Sequence, residues 1–142
     1  MNAGPPLQRF LDAQKESYDQ AFAEIRNGKK RTHWIWYIFP QIQGLGFSET
    51  SKYYAIKDLQ EAGDFLRDPV LGSRLVRICR TLLDLPGKNA HEIFGSPDDL
   101  KLKSSMTLFA MLENSDPVFL SVLDKFFNGE MDRRTLELLQ EK

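Results

Sequence analysis

Apolar side chains recur along this chain at the three- and four-residue intervals of an α-helix, and the polar residues between them mark where each helix starts and stops. Leu7, Phe10, Leu11, Tyr18, Ala21, Phe22 and Ile25 form one such stripe, ended by Asn27-Gly28. Asp58 followed by Glu61 predicts the start of another, reaching about Leu66. Asp68-Pro69 opens the next: an acid accepts from orphan backbone N–H groups, and a proline in the first turn loses no useful donor. Leu71, Leu75, Ile78, Leu82 and Leu85 are its inward stripe, until Pro86-Gly87 breaks it. Asn89 and Glu92 then bracket a short helical turn closed by Gly95. Ser96-Pro97-Asp98-Asp99 combines a cap, a first-turn proline and acids near the positive helix end. The helix it opens carries Leu100, Leu102, Met106, Leu108, Phe109 and Leu112. Asn114-Ser115-Asp116-Pro117 starts a further helix, with Val118, Leu120, Val122, Leu123, Phe126 and Phe127 as buried candidates and Asn128-Gly129 as its stop. Asp132 caps a last helix holding Leu136 and Leu139.

This pattern predicts an all-α fold, a single-domain multi-helix bundle spanning residues 1–142, with breaks near Gly28, Pro40, Gly87, Gly95 and Gly129. Its expected core includes Phe10, Phe22, Leu71, Leu75, Ile78, Leu82, Met106, Phe109, Leu123 and Phe126. Residues 34–39 are the one ambiguous stretch. Thr32 would cap a short helix ended by Pro40, yet the aromatic and β-branched content suits a buried strand equally.

Composition narrows the class. The length of 142 residues is that of one domain able to bury a proper core, and the 42% hydrophobic and 27% charged shares are those of a globular protein. A formal charge of −1 gives no field to gather nucleic acid or an anionic membrane surface, so neither partner is expected. The lone Cys79 excludes an internal disulfide framework, fits a reducing compartment and reads as a small buried hydrophobe. Met1-Asn2-Ala3-Gly4-Pro5-Pro6 lacks the basic start and apolar stretch of a secretory signal, and no apolar run nears the ~20 residues that cross a bilayer. A soluble cytoplasmic protein is the expectation. With two histidines and no cysteine pair, neither a metal site nor a cofactor fingerprint is expected.

Candidate chemistry concentrates in two strings. The first runs from Thr32 to Gln41 and into Gly44-Leu45-Gly46-Phe47-Ser48, and it holds both tryptophans and one of the two histidines. His33 offers an imidazole that titrates near neutrality. Trp34 and Trp36 offer a stacking wall, although residues two apart on a helix face different ways, so one at most lines a given pocket. Gln41 with the Gly44 and Gly46 turn offers an amide and backbone donors for a phosphate or carboxylate, while backbone angles alone also explain the glycines. Ser48, Thr50 and Ser51 read as the cap of a helix through Tyr53 and Tyr54. The second string supplies Asp98, Asp99, Lys101, Ser104 and Ser105, the last three on one broad helix face. Lys101-x-x-Ser104 reverses the order of the Ser-x-x-Lys nucleophile motif, and the acids are explained by the helix dipole. Lys29-Lys30-Arg31 reads as a solvated basic tip.

Both strings resemble a known family. His33-Trp34-x-Trp36-x-x-Phe39-Pro40-Gln41-x-x-Gly44-Leu45-Gly46 and Ile93-Phe94-Gly95-Ser96-Pro97-Asp98-Asp99-x-Lys101-x-x-Ser104-Ser105-Met106-Thr107-Leu108-Phe109 are similar to the hallmarks of domain-of-unknown-function family 1810. Asp68-Pro69-Val70-Leu71-Gly72-x-Arg74-Leu75 and Phe126-Phe127-x-Gly129-Glu130 fit the same pattern. The resemblance implies a mainly helical domain and no particular activity. Some relatives carry a calpastatin-like label, but calpastatin inhibitory segments are disordered until bound, whereas the caps and stripes here specify a core.

Two function classes follow. One is a small-ligand site for a polar, ring-bearing, nucleotide-like metabolite, with or without catalysis, built from His33, Trp34 or Trp36, Gln41, Gly44, Gly46, Lys101, and Ser104 or Ser105. The other is a protein-interaction module presenting the exposed part of the aromatic segment. A concavity gathering polar side chains distinguishes the first from the flat apolar patch of the second.

Overall fold

The computed structural model describes residues 5–142. Among them, α1 (Pro5–Arg26), α2 (Ile35–Ile38), α3 (Glu49–Tyr53), α4 (Leu59–Arg67), α5 (Leu71–Asp84), α6 (Ala90–Phe94), α7 (Asp98–Ala110), α8 (Val118–Phe127) and α9 (Arg133–Gln140) follow in order. Among the described residues the extended backbone forms only an isolated parallel bridge between Ile42 and Ile56. The all-α reading therefore holds.

Local caps set most of the boundaries. Asp58, Asn89 and Asp132 accept from the N–H groups of Glu61, Glu92 and Thr135, and Asn89 with Glu92 completes a reciprocal capping box. Asp68 accepts from Val70 and Leu71, both at 2.9 Å, so the helix it opens begins at Leu71 rather than at Pro69. Ser96 is not a cap: Pro97 holds that position, and no side chain there accepts from the first turn. Within residues 34–39 the chain forms helix over Ile35–Ile38 and no strand. Their single turn has Trp34 at its N-cap with no side-chain bond, because Thr32 is engaged elsewhere.

Helix α7 runs through the middle of the bundle, against α2, α4, α6, α8 and α9. Leu102 and every residue from Ser104 to Phe109 are buried, so this helix is enclosed on all sides from Ser104 to Phe109. Its polar members need partners in that setting. Thr107 donates to the Lys103 carbonyl at 2.8 Å and accepts from the Asp132 N–H at 2.8 Å, whereas the Ser105 hydroxyl has no partner among the described residues. With Met106 and Phe109 of α7, the core gathers Phe10, Leu71, Leu75, Ile78, Leu82 and Leu123, all buried as expected. Burial also raises the Cys79 thiol, which packs 3.6 Å from the Met106 sulfur.

Several apolar assignments need correction. Phe22, Phe126 and Phe127 are half-buried at the margin of the core, each with a cationic side chain over its ring: Arg77 lies 4.1 Å from the Phe22 ring centre, Lys125 5.1 Å from that of Phe126 and Lys103 5.9 Å from that of Phe127. Leu100 and Leu120 are exposed, on the outer faces of α7 and α8. The Lys125 ammonium also donates to the Leu82, Leu83 and Leu85 carbonyls, closing the C-terminal end of α5 with a charge from α8.

The segment between α1 and α2 is organised by one carboxylate. Glu24, 3% exposed, accepts from the N–H of Arg31 (2.8 Å) and of Thr32 (3.0 Å). It accepts as well from the Thr32 hydroxyl (2.7 Å), the Trp34 indole (2.8 Å) and the Gln20 amide (2.8 Å). Lys30 is accordingly no solvated tip residue: its side chain is 6% exposed and pairs with Asp98 at 2.9 Å. Burial pushes the Glu24 carboxyl up, but the Arg31 N–H, the Gln20 amide and both Thr32 donors outweigh it and lower its pKa from 4.5 to about 2.

A carboxylate whose pKa is depressed by folding stabilises the fold above its unfolded value and ceases to as the pH falls through its folded value. Glu24 is thus expected to contribute about 3 kcal/mol at neutral pH, lost between about pH 4.5 and pH 2. Glu24→Gln should cost about 2–4 kcal/mol at pH 7, since an amide points N–H groups at donors. Chemical denaturation followed across that pH range should show the variant losing less stability than the wild type.

Candidate functional site

Past Pro40 the chain runs extended and is pinned by backbone bonds: Ile56 N–H donates to the Gln41 carbonyl and Gln43 N–H to the Ile56 carbonyl, each at 2.8 Å. Ile42 and Ile56 point inward and are buried. The chain then turns sharply. Gly44 has φ +109°, and a Cβ there would sit 2.9 Å from a Leu138 methyl. Gly46 serves a different need, close approach, since its Cβ would lie 2.4 Å from that of Ser51. Ser48 caps α3 by accepting from the Ser51 N–H at 3.1 Å.

This turn faces the first two turns of α7 across a cleft of about 230 Å³. Trp36, Gln41, Gly44, Gly46, Lys101 and Ser104 all line it. Lys52 and Lys101 are among the lining residues, and no aspartate or glutamate is. Lys101 is positioned on both sides: its nitrogen lies 3.4 Å from Asp98 and 5.3 Å from the centre of the Trp36 ring. Asp98 is itself held by Lys30 at 2.9 Å. Ser104 bonds the Leu100 carbonyl at 3.2 Å and the Asp132 carboxylate at 3.1 Å. The Trp36 indole nitrogen is enclosed and has no acceptor among the described residues.

The other three candidates lie elsewhere. Trp34 is a core residue packed on Phe39 and Phe94, with its indole N–H donated to Glu24. Ser105 is fully buried in the bundle and does not reach the cleft. His33 is exposed ahead of α2 and borders a second, more open groove with Trp36, Tyr37 and Tyr53. One turn of helix explains the split. Residues two apart lie about 200° apart around a helix, so Trp34 and Trp36 cannot share a side.

With this geometry in view, the comparisons decide the family. The model for "protein of unknown function (DUF1810)" matches residues 5–139. The chain belongs to that family. The DUF1810 chain also superposes on a solved structure, the crystal structure of the conserved hypothetical protein Rv1873 from Mycobacterium tuberculosis. That match has a TM-score of 0.92 and 44% identity, and covers 94% of this chain and 96% of the other. No curated protein matches it. No helix among the described residues of the DUF1810 chain is long and apolar enough to cross a membrane.

Sequence reasoning missed Gln43, Ser51, Lys52 and Tyr54 as lining residues. The alternation of Gln41 and Gln43 about the inward Ile42 was the available signal for the first. The rest depend on α3 folding back across the turn, which the Gly46–Ser51 approach permits. The buried, unpartnered hydroxyl of Ser105 makes a direct check on its role. Ser105→Ala should hold stability or raise it by up to about 1 kcal/mol, measured by urea denaturation, because an unsatisfied polar group is removed.

Proposed function

We propose that this DUF1810 protein binds a small polar metabolite that carries a flat ring and a negative charge, in the cleft between the 44–46 turn and α7. The observation that supports this most is the lining: two lysines, two aromatic residues and two glutamines from distant parts of the sequence, with no aspartate or glutamate among them. A protein of formal charge −1 has no general excess of cations, so this local pairing favours an anion. The volume of about 230 Å³ suits one ring with a short charged group, given that cavities of about 150 Å³ hold benzene. A mononucleotide-like ligand fits that description and a dinucleotide does not.

Binding is better supported than catalysis. The cleft lining contains no histidine, and the Ser104 hydroxyl is already engaged by Asp132 and the Leu100 carbonyl. A nucleophile needs a free hydroxyl with a base beside it. The interaction-module reading has less to stand on, because Trp34, Ile35, Ile38 and Phe39 are all buried and leave little of the aromatic segment at the surface.

Thermal shift and calorimetry with adenosine monophosphate, and with adenosine as the uncharged control, test the proposal. The monophosphate should raise the melting temperature and adenosine should do so less, since a ligand selective for the folded state stabilises it. Lys101→Ala should weaken monophosphate binding about 3- to 30-fold, with the loss shrinking as salt is added. His33→Ala should leave it unchanged. Absence of any response across ring-bearing anions, or wild-type affinity in the Lys101 variant, would rule the reading out.

A further inference from the structure

The groove beside the cleft has the opposite chemistry. His33, Trp36, Tyr37, Tyr53 and Tyr54 line an open space of about 550 Å³, with Glu49 among them and no lysine or arginine. The rings form a corner and not a stack. Tyr53 meets Tyr54 at 82° with centres 4.8 Å apart, and Tyr37 meets Tyr54 at 55° and 5.2 Å.

This corner is held from behind. The Tyr37 hydroxyl bonds the Ser17 hydroxyl at 2.9 Å, and the Tyr54 ring packs on Phe10 with centres 5.9 Å apart. Arg9 donates to the Tyr53 and Ala55 carbonyls at 2.7 and 2.8 Å, while Glu61 faces its charge at 3.5 Å. Tyr53 itself is 60% exposed on a helix that buries no residue, so core packing does not account for its ring.

Aromatic faces carry negative potential, and several inclined faces around one point attract a cation that is weakly hydrated and bulky. A methylated ammonium satisfies both conditions, since its methyl groups contact the rings while the charge is spread. A carboxylate at the edge adds direct attraction. We propose that this groove binds a methylated ammonium group, carried either by a small molecule or by a lysine side chain of another protein. The site is separate from the anion reading of the cleft, although Trp36 and Tyr54 border both.

The test uses the full chain. Choline, its neutral isostere with a tert-butyl group in place of trimethylammonium, and a peptide with and without trimethyl-lysine are each titrated while the tyrosine ring resonances are followed by NMR. Choline or the trimethylated peptide should shift the Tyr53 and Tyr54 resonances saturably, and the stronger of the two identifies the source. The isostere should bind about tenfold more weakly than choline. Tyr53→Ala should lose about tenfold in affinity while Tyr53→Phe, which keeps the ring, should restore it. Glu49→Gln should weaken binding by an amount that salt reduces. No saturable shift with either methylated probe, equal binding of choline and its isostere, or wild-type affinity in Tyr53→Ala would overturn the proposal.

Discussion

The buried carboxylate of Glu24 is the constraint on which the arrangement of the first half depends. Helix α2 is a single turn without a side-chain cap, far too short to hold itself against the entropy of ordering it. Glu24 supplies from α1 what that segment lacks. By accepting from Arg31, Thr32 and the Trp34 indole, it draws the connection flat against α1 and fixes Trp34 in the core. An ionised group so enclosed is tolerable only when every side of it meets a donor. The same loop sends Lys30 across to Asp98, which in turn holds Lys101 at the cleft. A line of polar contacts therefore runs from the end of α1 to the start of α7.

Helix α7 completes that line because its two halves do different work. From Ser104 onward it is enclosed, and its register is set by packing and by the contacts of Ser104 and Thr107 with Asp132. Its first turns emerge from the core, presenting Pro97, Leu100 and Lys101 to the cleft. A rigid helix partly inside the core can place an ammonium group more firmly than a loop can, and that favours a preorganised site over one assembled on binding.

What was legible in the sequence follows from the range of the interactions involved. Asp58, Asn89, Asp132 and Ser48 bond N–H groups three residues away, so their roles could be read from spacing. Thr32 and Lys30 could not be read that way. Thr32 looked like a cap and Lys30 like a solvated charge until tertiary structure offered them Glu24 and Asp98. Phe22 shows the same limit for packing: a helical stripe locates the inward side, but that its margin meets Arg77 depends on the neighbouring helix. At the candidate site, Trp36, Gln41, Gly44, Gly46, Lys101 and Ser104 proved to be neighbours, whereas Trp34, on the other side of α2, and Ser105, enclosed within the bundle, do not reach it. Counting residues within a string gives their proximity along the chain. Only the phase of the helix gives the side they face.

That phase has a chemical consequence at Trp36. Because Trp34 is drawn inward to Glu24, Trp36 must face outward, where it stands with Tyr54 between two concavities of contrasting charge. On one side Lys101 lies over its ring and Lys52 lines the space; on the other are tyrosines and Glu49. A wall of two rings can separate unlike charges at close range without pairing either, because rings offer cations a face yet neutralise neither side. The two proposed preferences, for an anion in the cleft and for a cation in the groove, can thus coexist on either side of these rings. Both preferences rest on the orientation of α2, and so on the carboxylate that α1 places beneath it.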